Sequence, residues 1–448
     1  MRTLKFGGTS IADADRLRRV ARLVCTAARR EGVVVVVSAL AGVTDSLSTL
    51  TDTAAAGSPR REALSTLATR HLACLDALGG TTEDHRAIRL VLDELEDQLT
   101  AIASRGACEG AQRDAVLACG ERMSVVLAAA ALTMAGVTAQ RWDTRHLVVT
   151  DSQFGRAGIA WPETRARLRR AWQRTAAGTV PVATGFIGAT PDGSTTTLGR
   201  GGSDTLASIV AAALDADVVE IWSDVDGVLS APPASGVKGT TVPHLSYQEA
   251  REAARFGAKV LHPDTVAPAA RKGIPLVVRN TFQPDGPRTI VGRSAASDGG
   301  GARVVTCIEA ATLVGLPEGV GREAPCGGVD ALRCEGPAPF PNPWVLLSPL
   351  HACPELATRG EIRQGVSVVA VVGDGIAARP EARAALRDAL RNARIPVLGS
   401  VATRSAASVA IVVPRGMRHE AVRVLHGALV APQRLAAEAV AEGGENHG

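Results

Sequence analysis

The run Gly199-Arg200-Gly201-Gly202-Ser203-Asp204 offers the first chemistry in the chain. Its glycines lack a Cβ, so the backbone can approach a ligand closely and turn N–H groups toward an anion, as can the start of a following helix. Arg200 adds a planar fork suited to a carboxylate or phosphate, and Asp204 could hold a metal ion or orient a charged neighbour. A glycine-rich run by itself is more often a tight turn. Two lysines stand in related settings. Lys5 closes a short strand-like segment just before Gly7-Gly8-Thr9-Ser10, and Lys259 lies among small residues in Phe256-Gly257-Ala258-Lys259-Val260-Leu261-His262-Pro263, where it can reach a phosphate without steric opposition. Taken alone, Lys259 reads as a surface lysine. Glu121, in Gly120-Glu121-Arg122-Met123-Ser124, reads alone as a solvated helix-end carboxylate.

The elements around these residues fall into a β-α-β rhythm. Residues 33–37 are five valines, the pattern of a strand buried on both faces of a parallel sheet, and they run into Ser38-Ala39-Leu40-Ala41-Gly42-Val43-Thr44. Leu17, Val20, Ala21, Val24 and Ala28 recur at helical spacing after the first glycine turn. Residues 60–105 are helical in period and broken at Gly79-Gly80-Thr81-Thr82, which predicts a helical hairpin. Strand-like segments at 180–184 and 218–224 flank the small-residue helix opened by Gly199 to Asp204, and the second ends in Ser223-Asp224-Val225-Asp226-Gly227. In open α/β sheets ligands bind outside the carboxyl ends of the strands, where these glycines and hydroxyls collect.

Composition sets the outer bounds. At 448 residues and 46% hydrophobic, the chain can bury at least two cores, which predicts two or three domains. A net charge of +4 from dispersed arginines, with six Phe, five Trp and one Tyr, lacks the basic stripe and interleaved aromatics of a nucleic-acid binder. The eight cysteines form no CxxC pair and have no histidine at zinc-ligand spacing, so they read as reduced thiols. No apolar run of membrane-spanning length stands out and no signal peptide opens the chain, which predicts a cytoplasmic protein without membrane contact.

Together the motifs at residues 5–10, 38–47, 120–124, 199–204, 223–227 and 256–263 resemble, in order and spacing, those of the aspartokinases. The resemblance covers about residues 1–295 and implies the amino-acid-kinase fold, an α/β arrangement with a mostly parallel open sheet between helical layers. It also implies transfer of the γ-phosphoryl of ATP to the side-chain carboxylate of L-aspartate, giving 4-phospho-L-aspartate, with Mg2+ carried on the ATP phosphates. By the same resemblance Lys5 and Asp204 are catalytic. Ser38, Thr44, Glu121, Arg200 and Ser203 bind the substrate, Glu121 taking the α-ammonium and Arg200 a carboxylate. Lys5, Gly7, Gly8, Thr9, Ser223, Asp224, Gly227 and Lys259 hold ATP.

The chain also departs from the aspartokinase pattern. After Gly227 the family carries a tyrosine, an aspartate and an arginine where this chain has Leu229, Pro232 and Ala234 within Val228-Leu229-Ser230-Ala231-Pro232-Pro233-Ala234. The resemblance further implies two ligand-sensing ACT modules that build a homodimer. Residues 365–431 fit one ACT-like α+β module in β-α-β-β-α order. Residues 303–364 read as a degenerate first copy, with strand-like ends at 304–314 and 344–347 and a Gly- and Pro-crowded stretch at 315–343 that predicts a lost or remodelled effector pocket. Residues 432–448 read as a tail. Two other readings stay open: a kinase for another acidic amino acid, and a non-catalytic paralogue that binds amino acids and regulates a partner.

Overall fold

A computed structural model describes residues 1–258, 260–294, 301–315, 331–335, 343–346, 361–403 and 405–431. The chain forms two compact units, Met1–Asp226 with Asp264–Ile290, and Gly227–Pro263 with Val291–Gly448. The division therefore falls between Asp226 and Gly227, inside one of the motifs, as well as near residue 290.

The first unit is built on parallel strands: β1 (Arg2–Phe6), β2 (Val33–Val37), β3 (Ala139–Trp142), β4 (Val180–Thr184) and β7 (Val218–Ser223), with β5 (Ile187–Ala189) and β6 (Thr195–Thr197) forming a separate antiparallel pair. The main sheet runs β3-β4-β2-β1-β7 and continues through Leu276–Asn280 and Arg288–Gly292. All five valines of β2 are buried, as a strand covered on both faces requires. Phe6 lies opposite Val37 and Trp222, and Val37 opposite Thr184, so β1, β2, β4 and β7 end side by side. Gly7, Ser38, Gly185 and Ser223 consequently share one edge of the sheet.

Helices α1 (Ala14–Ala28), α2 (Val43–Ala55), α3 (Arg61–Ala77), α4 (Thr82–Arg105), α5 (Gly110–Met134), α6 (Trp161–Gln173) and α7 (Gly202–Leu214) accompany the sheet. The predicted hairpin is α3–α4, and its second helix opens with a reciprocal capping box between Thr81 and Asp84. Helix α5 is long and apolar enough to cross a membrane, contrary to the expectation from the sequence, but 83% of its most apolar window is buried. Its alanines and glycine allow close packing on all sides, which makes it the core helix of this unit.

In the second unit, Val304–Gly315 pairs antiparallel with Glu361–Val372, which pairs in turn with Ser408–Pro414. With Pro343–Leu346, Ala331–Glu335 and Gly399–Val401 these strands close a barrel. Helices Pro380–Asn392 and Arg418–Leu429 bury Leu386, Leu390, Val422 and Leu425 in one cluster with Val305, Val371 and Val413. The β-α-β-β-α order expected for 365–431 is present. Two features differ from the sequence reading. The strand at 304–315, assigned above to the first copy, is paired along its length with the second. A strand also forms at Ala331–Glu335, where only irregular chain was expected; Cys334 is buried while Arg333 and Glu335 are exposed, an alternation too short to stand out among neighbouring glycines and prolines. The stretches 316–330 and 336–342, on which the lost effector pocket was argued, and the tail 432–448 lie outside the described residues.

Candidate active site

At the carboxyl edge of the first unit's sheet lies a cavity of about 410 Å3. Lys5, Ser38, Thr44, Glu121, Arg200, Ser203 and Asp204 all line it, so every residue assigned to catalysis or substrate binding comes together from separate parts of the chain. The N-termini of α2 and α7 supply Thr44 and Ser203, placing unsatisfied N–H groups and the positive ends of two helix dipoles on the same space. An anionic substrate suits that arrangement.

The glycine run before α7 works through backbone conformation. Gly199 and Gly201 have φ of 75° and 66°, in the left-handed region that glycine adopts without strain. A Cβ on Gly202 would stand 2.6 Å from Phe186, and one on Gly185 would stand 2.6 Å from the Ser203 hydroxyl. The loop can thus lie flat against the end of β4 and start α7 with Ser203 and Asp204 turned to the cavity. Arg200 remains exposed.

Helix α7 packs against β1, which brings Asp204 to the end of that strand. Its Oδ1 is 2.5 Å from Lys5 Nζ, and both side chains are largely buried. This ion pair is compatible with Asp204 orienting a charged neighbour, one of the two roles open to it in the sequence. Among the described residues no group of three or more His, Cys, Asp or Glu side chains converges to hold a metal ion.

Glu121 is the residue most changed by seeing it folded. It is 3% exposed, on the inside of α5. A Cβ on the preceding Gly120 would lie 2.8 Å from the Ala39 side chain, so the glycine is what allows α5 to press against the loop following β2. Burial pushes the Glu121 carboxyl up from 4.5 to about 8, against the opposing pull of the Ala39 N–H, its own N–H and the charge of Lys5. Its Oε2 is buried without a hydrogen-bond partner. An uncompensated carboxylate oxygen beside a cavity is a site for a cation or a donor, since leaving it unmet costs about 1–3 kcal/mol.

Two residues that sequence reasoning did not single out help to shape this space. Asp114, also on α5 and 1% exposed, accepts from the N–H groups of Gly155 at 2.9 Å and Thr197 at 2.8 Å and from the Thr197 hydroxyl at 2.9 Å. Burial raises its pKa and these donors oppose the rise. Arg70, on α3, donates to the carbonyls of Ala41 at 2.9 Å and Ala12 at 3.1 Å, joining the loop after β2 to the loop after β1. A signal for Asp114 was available, since it precedes Glu121 by two helical turns; nothing in the hairpin's sequence marks Arg70.

The residues assigned to nucleotide are less gathered. Gly7, Gly8 and Thr9 follow β1 at the same sheet edge but do not line the cavity; a Cβ on Gly8 would meet the Ala39 carbonyl at 2.7 Å, so this turn lies tight on the neighbouring loop. Ser223 ends β7, with its hydroxyl 3.0 Å from Asp224. Asp226 accepts from Asn280 at 2.7 Å. Gly227 belongs to the second unit and Lys259 lies outside the described residues. The altered segment after Gly227 is tied within the second unit: Leu229 bridges to Thr241, the Ser230 hydroxyl is 3.0 Å from His426, and Ala231 is buried in the cluster under Arg418–Leu429.

The profile of the amino acid kinase family matches residues 2–280, more than half the chain. The chain belongs to the amino acid kinase family. Among curated relatives, this kinase-family chain is 38% identical over 291 residues to lysine-sensitive aspartokinase 3 of Escherichia coli (strain K12), covering 64% of this chain and 63% of that protein. It is 36% identical over 297 residues to aspartokinase 1, chloroplastic, of Arabidopsis thaliana, covering 64% of this chain and 51% of the relative. A bifunctional aspartokinase/homoserine dehydrogenase 1 of Zea mays matches 94% of this chain at 31% identity, over 50% of its own length. The chain therefore spans about half the length of the plant relatives. Among solved structures, E. coli aspartokinase III in complex with aspartate and ADP (R-state) matches with a TM-score of 0.81 and 27% identity, over 96% of this chain and 99% of that one. The same enzyme with lysine and aspartate (T-state) gives 0.74 over the same shares.

Proposed function

We propose that this amino acid kinase is an aspartate kinase, transferring the γ-phosphoryl of ATP to the side-chain carboxylate of L-aspartate. The observation that carries the reading is the cavity that combines an orphaned buried carboxylate, Glu121, with an exposed arginine, Arg200, and the Lys5–Asp204 pair. Glu121 takes the substrate's α-ammonium and Arg200 clamps a carboxylate through two parallel hydrogen bonds, with the hydroxyls of Ser38, Thr44 and Ser203 as further donors. The similar E. coli structure that carries aspartate and ADP supports this pairing of ligands.

The side-chain carboxylate of aspartate is ionised at neutral pH and needs no general base. One of its oxygens forms a bond to the γ-phosphorus while the bond from that phosphorus to the bridging oxygen breaks, and ADP leaves with the electron pair. Such a transfer asks for in-line positioning and for positive charge where the equatorial oxygens gain negative charge. Lys5 supplies that charge, and Asp204 holds its ammonium in place. Gly7, Gly8, Thr9, Ser223, Asp224, Gly227 and Lys259 are the proposed nucleotide contacts. Mg2+, carried on the ATP phosphates, would neutralise charge there. Homodimer formation through the ACT-like region and a cytoplasmic location belong to the same proposal. A coupled ADP-release assay with magnesium, ATP or GTP and a panel of acidic amino acids tests it. Turnover with L-aspartate in excess of the other acids is expected; turnover with a different acid alone, or binding without ADP release, refutes it.

A further inference from the structure

Asp114 and Glu121 stand seven residues apart on α5, two turns along one face, and both line the cavity. Their situations are opposite. Glu121 keeps an oxygen without a partner, whereas both oxygens of Asp114 are taken by the protein itself. Those partners are placed with consequence: Thr197 ends β6, three residues before Arg200, and Gly155 belongs to the turn whose carbonyl would sit 3.1 Å from a Cβ on Gly199. Helix α5 therefore carries Glu121 directly and holds the approach to Arg200 through Asp114.

We propose that Asp114 is a positioning residue that fixes Arg200 relative to Glu121, so that the two charges meet both ends of one amino acid. The inference rests on the substrate reading given above. Arg200 is exposed and stands between Gly199 and Gly201, both at positive φ, so the placement of its fork depends on how firmly the strand before it is held. Three hydrogen bonds accepted by a buried carboxylate tie Thr197 to Gly155, in addition to the pairing of Thr197 with Ile187. The contacts call for acceptors rather than for charge. An asparagine can present its carbonyl oxygen to the two N–H groups and its amide N–H to the Thr197 hydroxyl, which accepts equally well.

The test is steady-state kinetics on the full chain with Asp114→Ala, Asp114→Asn and Thr197→Val, each alone and combined with Arg200→Ala. Asp114→Ala should raise the KM for L-aspartate about tenfold, the scale of a few lost or misaligned hydrogen bonds, and shift the KM for ATP by less than about threefold. Asp114→Asn should recover most of that loss. In the Arg200→Ala background, Asp114→Ala should add little, because there is no longer a fork to position. Thr197→Val removes one contact while keeping the backbone, and gives a smaller change of the same pattern should the alanine variant fail to fold. Equal rises in both KM values, or full additivity with Arg200→Ala, would overturn the proposal in favour of a general structural role. If Arg200→Ala itself leaves aspartate kinetics intact, the substrate reading fails instead.

Discussion

Binding of L-aspartate should release a proton, and the size of the release follows from Glu121. The fold holds this carboxyl at about 8, chiefly because burial disfavours its charged form. At pH 7 a group with that pKa is roughly 90% protonated, and at pH 9 roughly 10%. An arriving α-ammonium at the orphaned Oε2 is an opposite charge at contact distance, which favours the carboxylate by up to about 3 pKa units, enough to leave it almost wholly ionised at pH 7. Binding at pH 7 should thus expel about 0.9 proton per site, falling to about 0.1 at pH 9. Calorimetric titration of the ADP-bound protein with L-aspartate, in phosphate and in Tris, reads this directly, because the slope of observed enthalpy against buffer ionisation enthalpy is the number of protons exchanged. Glu121→Gln should bring the slope at pH 7 close to zero. A wild-type slope near zero, or one that survives Glu121→Gln, would refute both the protonated resting state and its contact with the ammonium.

The same residue has a signature without ligand. Because folded Glu121 holds its proton up to about pH 8 and the unfolded residue releases it near 4.5, the folded chain binds more protons across that window; Glu121 therefore lowers stability as pH rises through it. Urea unfolding at pH 6 and pH 8.5 should show that loss in the wild type and less of it in Glu121→Gln. Arg200→Ala should cost roughly 2–4 kcal/mol in kcat/KM for L-aspartate, and Arg200→Lys should not restore it fully, since a point charge cannot make two parallel hydrogen bonds. Near-wild-type efficiency in the alanine variant would contradict the clamp. Gly120→Ala places a methyl 2.8 Å from the Ala39 side chain, an overpacking expected to cost about 1–3 kcal/mol in denaturant stability and to weaken aspartate binding with it. Unchanged unfolding and kinetics would show that α5 and the loop after β2 can separate freely.

The sheet and its ligand edge were legible because the signals are local: a run of valines, turns of Gly, Ser and Thr at strand ends, and helical periodicity between them. The grouping of the residues that line the cavity followed from motif order. Glu121 shows where local reading stops. Its sequence neighbourhood allows a solvated helix end, and only the approach of Ala39 to Gly120, residues far apart in the chain, buries it. Asp114 escaped for the same reason, since its partners Gly155 and Thr197 lie about 40 and 80 residues away. In the second unit, the pairing of Val304–Gly315 with Glu361–Val372 crosses a long intervening segment, and periodicity within a strand carries no information about its partner.

Arg70 alters what the α3–α4 hairpin is for an engineer. In sequence the hairpin resembles an insertion that could be trimmed to a short connector. Its arginine, however, donates to carbonyls in the loops after β1 and β2, so deletion would release together the turn following Lys5 and the stretch from Ser38 to Thr44. The far end is different: Gly79 is exposed, and a Cβ there would meet nothing within 4 Å. A tag or reporter belongs at Gly79, while the middle of α3, which carries Arg70, has to be kept whole.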